Sequence, residues 1–277
     1  MRPFVQPDFG GVLREESANG RLARLGFKLH LFRHGLTRGI KEGWYRMVRA
    51  PLGHLAWLGW CHLGVPGDRQ LSRRCALAHV GDQTLVWVPP RSLQHWVRFG
   101  NGATRRRFFW TGDWDLDPPR IEDHDRYQMM ADIWHNREDL RQSEAYQSLM
   151  ARIERGDPRR IMNKGYFLDT EARVLAWLEE LLDLFRILTE EGFRLDKGPD
   201  ELNVAIGRDG TLLKANAGRK RTMISHILGL ERIPVRIAYI HLEWWHEQAA
   251  RYTGNREQRL RAALADYLAQ QGFERAG

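Results

Sequence analysis

The sequence predicts an α+β protein with a small mixed sheet, packed helices, a helical insert and an N-terminal helical arm. Short apolar runs flank an Asp-Gly pair at Asp209, which is typical of a β-hairpin because Asp-Gly supplies the positive φ of tight turns. A further apolar run of strand length follows from Ile233. Between Asp169 and Gly192, apolar residues recur every three or four positions, which indicates a long amphipathic helix.

The first segment, residues 1–79, is predicted to be a basic, Trp-rich helical arm. Residues 1–50 hold ten Lys or Arg and four Asp or Glu, and so carry six of the eight net positive charges. Residues 21–65 either pack on the core, lie on an anionic membrane surface or contact nucleic acid, which is the least favoured partner. Residues 52–65 are too few to span a bilayer, which requires about 20 apolar residues. Apolar residues recur on one face of the first predicted helix at Leu22, Leu25, Leu29, Phe32 and Leu36.

The second segment, residues 80–245, is predicted to be the sheet-containing core, with a helical insert at about 120–165. A strand is expected over residues 85–88, where an apolar run ends at two prolines. The helix at 170–191, which Asp169 can cap, is expected to pack on the sheet. Residues 246–277 form the third segment, and their pattern of apolar residues predicts one C-terminal amphipathic helix.

A glycine-led basic sequence, Gly218–Arg221, stands where a helix is expected to begin and to run over 222–228 before Gly229. Cations are unfavourable at a helix N-terminus, which carries a partial positive charge and free backbone N–H groups. Their concentration there predicts a bound anion, with phosphate as the best fit. The alternative is a solvated charge run beside a turn. The predicted phosphate-binding residues are Gly218, Arg219, Lys220, Arg221 and Thr222.

The block of hairpin, Gly-Arg-Lys-Arg, helix and Ile233-Pro234-Val235 strand resembles the core of the ParB/sulfiredoxin superfamily. The resemblance is clear over residues 174–245 and weaker over 85–97. It implies that the basic motif holds nucleotide phosphates, since the members include partition proteins that bind CTP, sulfiredoxins that use ATP and a free-serine kinase. It also implies a nucleoside triphosphate and Mg²⁺ as cofactors.

The motif departs from that of the characterised members at three positions. Arg219 stands where sulfiredoxins carry their cysteine, so reduction of a sulfinic acid is not expected. Ala217 and Lys220 replace the Asp and His of nuclease-like and kinase-like members. Only about one helix follows Trp245, so the helix-turn-helix domain of partition proteins is not expected either.

Gly112-Asp113-Trp114-Asp115 is the second candidate site. Two carboxylates two positions apart in extended chain can share Mg²⁺, or one can act as a general base. The alternative is a surface turn around a buried tryptophan. His241, at the end of the last predicted strand, could line the pocket or be a core residue. The predicted catalytic residues are therefore Asp113, Asp115 and His241, with both aspartates as the metal ligands.

These observations predict a protein that binds a nucleotide or another phosphorylated small molecule, with phosphoryl transfer or nucleotide hydrolysis as its expected chemistry. One alternative is a non-enzymatic membrane-associated or scaffolding module with a degenerate phosphate site. Another is a ParB-like nucleic-acid binder or nuclease. The only cysteines, Cys61 and Cys75, do not form a Cys-x-x-Cys pair, and the N-terminus has no signal-peptide pattern. We therefore expect a cytoplasmic protein, either free or peripheral to the inner face of the membrane.

Overall fold

The computed structural model describes residues 50–97, 106–161, 166–193, 202–216 and 218–276. These residues form two compact units. One is helical and lies within Asp125–Gly192, and the other contains the main sheet and combines Gly43–His124 with Phe193–Gly277. The described chain contains α-helices and a mixed sheet, so the predicted α+β class is confirmed.

The main sheet is built around one long strand. The strands are β1 (Leu85–Val88), β2 (Phe109–Trp110), β5 (Leu202–Ile206), β6 (Leu212–Lys214), β7 (Ile233–His241) and β8 (Glu274–Arg275), with β3 and β4 placed in the other unit. The order is β6-β5-β7-β1-β8, and β2 also pairs with β7. β7 runs parallel to β5 and β2 and antiparallel to β1. Apart from Arg236, every residue of β7 is buried, so this strand forms the centre of the core.

The predicted hairpin, helix and strand between residues 202 and 241 are all present. β5 and β6 pair antiparallel around the Gly207–Gly210 turn, whose ends are joined by a hydrogen bond from the Gly210 N–H to the Gly207 carbonyl. The helix that follows Gly218, here α6, is Arg219–Ile227. It therefore begins three residues earlier than the sequence predicts. It ends at Ile227, one residue before the predicted end, and Gly229 follows as predicted with a positive φ of 62° and an N–H that donates to the His226 carbonyl.

Four more helices belong to the sheet-containing unit. They are α1 (Ala50–Leu63), α2 (Arg73–Thr84), α7 (Leu242–Ala249) and α8 (Arg256–Gln271). Trp60 of α1 packs on Phe109 of β2 and on Trp245 of α7, with ring centroids 5.9 Å apart in each case. This buried aromatic cluster fixes α1 and α7 beside β2. The C-terminal helix predicted at 246–277 corresponds to α8, and the preceding residues form α7.

The helical unit comprises α3 (Asp125–His135), α4 (Glu144–Glu154), a two-stranded β3–β4 hairpin and α5 (Glu171–Glu190). β3 is Arg159–Ile161 and β4 is Tyr166–Leu168. The long predicted helix is thus present as α5, although Thr170 rather than Asp169 caps it. The expectation that α5 packs on the main sheet stays a prediction. α5 lies in the compact unit of α3 and α4, where Phe185 stacks on Trp134 with the ring centroids 4.9 Å apart.

The predicted N-terminal arm is described only from residue 50 onward. There it forms α1, which agrees with the expected helix, whereas the predicted helix from Leu22 to Leu36 lies outside the described residues. Among the helices that the structure describes, none has both the length and the apolar character needed to cross a bilayer.

Candidate functional site

The N-terminus of α6 has an unusual cap. Gly218 occupies the cap position with a φ of 76°, and as a glycine it has no side chain that could cap the first turn of this helix. The first four N–H groups of a helix have no partner within the helix. Five other described helices satisfy part of this need with a side-chain cap, from Ser72, Ser143, Thr170, His241 and Asn255. In α6 the cap residue provides no such side-chain cap.

The basic side chains of the motif follow this cap directly. Arg219 is exposed, and Lys220 and Arg221 are half-buried. The structure therefore brings together at one helix end the glycine and the three cations that the sequence assigns to phosphate. Thr222 does not fit its predicted role, since its side chain is buried and its hydroxyl donates to the Gly218 carbonyl at 3.1 Å. Thr222 closes the first turn of α6 and does not present a donor to a ligand.

Lys214, at the end of β6, lies buried beside this motif, and no sequence pattern predicted it to be part of the site. Its side chain is 2% exposed, and Nζ donates to the carbonyls of Asn203 at 2.9 Å, Ala215 at 2.7 Å and Asn216 at 2.6 Å. Burial, together with the charges of Arg219 and Arg221, holds the pKa of Lys214 well below its usual value. The three carbonyls match the three protons of the ammonium form. The Nζ of Lys214 is thus held at the chain that leads into the N-terminus of α6.

Asn216, two residues before Gly218, is held directly by side chains of two strands and indirectly by a side chain of α2. Its Oδ1 accepts hydrogen bonds from Tyr239 Oη of β7 at 3.1 Å and from Asn203 Nδ2 of β5 at 3.2 Å. Arg73, at the start of α2, donates to the Tyr239 hydroxyl and lies over the Tyr239 ring, 5.1 Å from its centroid. This network fixes the chain that leads into the motif and brings a further arginine toward it. No local sequence pattern links these positions, which are joined by tertiary packing alone.

The predicted aspartate pair is engaged by Arg208 of the hairpin turn. Arg208 Nε donates to Asp115 Oδ1 at 3.1 Å, its backbone N–H donates to Asp115 Oδ2 at 2.6 Å, and Nη2 donates to Asp113 Oδ1 at 2.8 Å. Burial raises the pKa of Asp115, but the hydrogen bonds from Arg208 outweigh it and hold that pKa below its usual value. The two carboxylates raise the pKa of Arg208 in turn. No sequence pattern links Arg208 to the two aspartates, so this ion pair was not predicted.

The Arg208 ion pair and the phosphate motif lie at opposite ends of β5. Gly218 contacts Leu202, the first residue of this strand, whereas Arg208 follows its last residue, Ile206. Five strand residues rise about 3.3 Å each, so their two ends lie about 13 Å apart. The predicted role of Asp113 and Asp115 as ligands of a Mg²⁺ at the phosphate motif is corrected on this ground, because one strand length separates them from the motif and Arg208 binds both carboxylates. In the portion of the chain that the structure covers, no cluster of three or more His, Cys, Asp or Glu is arranged to hold a metal.

His241 is fully buried at the junction of β7 and α7, where it caps α7. The Glu243 N–H donates to His241 Nδ1 at 3.2 Å, so Nδ1 is the unprotonated nitrogen. Nε2–H then donates to the Gly112 carbonyl at 3.0 Å. Both ring nitrogens are occupied, and the residue lies beside Asp115, at the end of the sheet away from the motif. The geometry gives His241 a structural role in place of its predicted catalytic one.

No protein-family model, curated protein or solved structure matches this chain. The resemblance of residues 174–245 to the ParB/sulfiredoxin superfamily therefore stays a prediction.

Proposed function

We propose that the sheet-containing unit binds a phosphate ester, with a nucleotide as the best-fitting ligand, at the N-terminus of α6. The observation that carries the proposal is the position of buried Lys214, whose Nζ donates to the Asn216 carbonyl at 2.6 Å, directly before the glycine-led first turn that carries Arg219 and Arg221. A phosphate at this point would offset the mutual repulsion of Arg219 and Arg221. It would also accept hydrogen bonds from first-turn N–H groups, because the cap residue Gly218 has no side chain to compete for them.

The order of elements around the motif supports a ParB/sulfiredoxin-like relationship. A β-hairpin, a glycine-led helix and the Ile233–His241 strand follow one another, and the last strand pairs parallel with the first strand of the hairpin. We propose that this arrangement positions the ligand as the superfamily motif does, with Gly218 and the first turn of α6 facing the phosphate. Arg221 is the strongest candidate for direct contact, since a guanidinium can bind two phosphate oxygens at once.

Binding, rather than phosphoryl transfer, is the function that this geometry supports. Asp113 and Asp115 are paired with Arg208, and both nitrogens of His241 are hydrogen bonded. All three residues lie near the end of β5 that is remote from Gly218. The proposal therefore assigns no general base and no Mg²⁺ ligand to these residues, and Mg²⁺ would enter only as the counterion of a bound nucleotide.

We further propose that the protein works in a reducing compartment, in agreement with the predicted cytoplasmic location. Cys61 and Cys75 are both free thiols and both buried. Burial raises the pKa of Cys61 to about 11, and burial also raises that of Cys75. Buried thiols with raised pKa values react slowly, so the two cysteines act as small apolar core residues.

The first test is a thermal-shift screen of the full chain with ATP, CTP, GTP and inorganic phosphate, each with and without Mg²⁺. A ligand that binds only the native state raises the melting temperature by mass action. We expect at least one nucleotide to raise it, and to do so more than inorganic phosphate does. An unchanged melting temperature with all four compounds at millimolar concentration would argue against the proposal.

The second test is calorimetric titration of variants with the best ligand from the screen. Arg221→Ala should weaken binding by about 10- to 150-fold, because a charged hydrogen bond contributes roughly 1.5–3 kcal/mol. Lys220→Ala should weaken it less, since a flexible ammonium makes a poorer geometric match. Arg155→Ala is the matched control, because it removes the same charge from an exposed position in the helical unit. Equal affinities of wild type, Arg221→Ala and Arg155→Ala would show that the motif is only a run of charged residues exposed to solvent.

A further inference from the structure

The exposed apolar side chains of this protein are concentrated on α1 and the turn that follows it. Six large apolar residues are exposed in the part of the chain that the structure describes, and five of them lie between Leu52 and Val65. The most exposed are Leu63 at 79%, Val65 at 67% and Leu55 at 64%. The sixth, Leu116, lies in a turn elsewhere in the same unit. Single exposed apolar side chains are common on protein surfaces, but a group of five such side chains is typical of an interaction surface.

These leucines share one face of α1. With about 100° of rotation per residue, Leu52, Leu55, Leu58 and Leu63 fall within one arc of the helix. The opposite arc carries Trp57, Trp60 and Cys61, which are buried. The exposed arc also includes His62, whose ring has an apolar body and a polar edge. α1 is therefore apolar on both faces, although only one face is covered by its own unit.

The buried face anchors α1 firmly, so the exposed face is presented in a fixed orientation. Trp57 Nε1 donates to Glu257 Oε2 of α8 at 3.0 Å, and Trp60 Nε1 donates to Asp68 Oδ1 at 2.6 Å. Arg256 Nη1 donates to the Trp60 carbonyl at 3.2 Å. The leucine face is therefore preformed and does not depend on folding of α1 upon contact with a partner.

Charge indicates which partner covers this face. Residues 1–50, which end where α1 begins, hold six of the eight net positive charges of the chain. An apolar helix face next to a strongly basic segment matches the interface of an anionic bilayer, where the acyl region takes the leucines and the headgroups attract the cations. A second copy of the chain would bring two such basic segments together across the leucine face, and like charges disfavour that pairing.

We propose that α1 is a peripheral membrane-binding element that lies in the plane of an anionic phospholipid surface. Leu52, Leu55, Leu58 and Leu63 insert between the lipids, while Trp57 and Trp60 hold the helix to its unit. The 14 residues of α1 are too few to span a bilayer, which requires about 20, but they are enough to lie along one. The phosphate site at Gly218 plays no part in this contact, so the two proposals stand or fall separately.

The test is flotation of the full chain with phospholipid vesicles of two compositions. One contains phosphatidylcholine alone, and the other contains phosphatidylcholine with about 30 mol% phosphatidylserine, which supplies the negative surface potential. We expect wild type to float with the anionic vesicles and not with the neutral ones. The double variant Leu52→Ser/Leu55→Ser should bind the anionic vesicles at least about tenfold more weakly, since each change removes an inserted apolar side chain.

Leu116→Ser is the matched control, because it removes an equally exposed leucine from outside α1 and should bind as wild type does. All the substituted side chains are exposed, so the melting temperatures of both variants should agree with that of wild type. A wild-type protein that does not bind anionic vesicles at low salt would overturn the proposal. So would a double variant that still binds as wild type does, because the basic segment would then act alone. A wild-type dimer that the double variant dissociates, with no vesicle binding by either, would assign the face to a second copy.

Discussion

Gly218 packs against Leu202 so closely that position 218 has no room for a side chain. A β-carbon there would overlap Leu202 Cδ2 and would lie 3.2 Å from the Leu202 Cα. Gly218 also has a φ of 76°, in the left-handed region that disfavours other residues. The glycine of the motif is therefore required by the fold, whether or not a ligand is bound.

Gly218→Ala should destabilise the protein by roughly 2–4 kcal/mol, because it adds left-handed backbone strain to overpacking against Leu202. Gly229→Ala, at a φ of 62° with no atom within 4 Å of the added carbon, should cost only the backbone strain of about 1–2 kcal/mol. The measurement is urea unfolding of both variants and wild type. Equal losses for the two variants would mean that Leu202 moves aside at no cost.

Lys214 should make stability depend on pH in the alkaline range. Because its folded-state pKa is lowered, the unfolded chain binds more protons between that pKa and the usual 10.5. The free energy of unfolding contributed by Lys214 should therefore rise as the pH increases through this window. Lys214→Met, which has a similar length and no charge, should remove the rise. It should also destabilise the protein at neutral pH, because three carbonyls lose the hydrogen bond from Nζ.

The measurement is urea unfolding of wild type and Lys214→Met at a series of pH values from neutral up to 10.5. The difference between the two unfolding free energies is the informative quantity, because the cysteines and tyrosines titrate in both proteins. A difference that does not vary with pH would show that Lys214 keeps an ordinary pKa in the folded state.

Asp115 should contribute stability that is lost in acid. Its folded-state pKa is lowered, so the contribution is complete above the unfolded value of 3.8 and disappears as the pH falls below it. Asp115→Asn should cost roughly 1.5–3 kcal/mol at neutral pH, because Arg208 loses its buried carboxylate. Asp113→Asn, at a side chain that is 75% exposed on the same arginine, should cost about 1 kcal/mol or less.

Unfolding by urea between neutral pH and pH 3 measures both effects, and the loss for Asp115→Asn should shrink below about pH 4. If Asp113→Asn proves as costly as Asp115→Asn, the exposed carboxylate is the principal partner of Arg208 and the burial of Asp115 contributes little.

The sequence predicts well those elements whose signals are local. The Asp209-Gly210 pair, the glycine before Arg219 and the apolar stripe from Val174 to Leu188 each lie within a few residues of the structure that they specify. They therefore predict the hairpin, the start of a helix and the helix α5. The cap of α5 differs by one residue, because Thr170 accepts the first-turn N–H while Asp169 pairs with Arg173.

The predictions that differ from the structure depend on distant residues. Asp115 and Arg208 are separated by 93 positions, and no local pattern links a Gly-Asp-Trp-Asp segment to a hairpin turn. The sequence also places the acids and the motif in the same core, but it does not reveal that β5 separates them. Lys214 is the last residue of an apolar strand, and a lysine at the end of a strand is expected from the sequence to be exposed to solvent. Only the folded chain brings the Asn203 and Asn216 carbonyls to its ammonium group.

The order of strands in the main sheet has a consequence for the kinetics of folding. The hairpin, α6 and β7 are contiguous between residues 202 and 241, so their pairing closes only short loops. Val86 pairs with Val235, which closes a loop of about 150 residues and carries a larger entropic cost. We therefore expect the segment that carries the motif to form early and β1 to dock late. Substitutions in β1 should then accelerate unfolding and leave the refolding rate nearly unchanged.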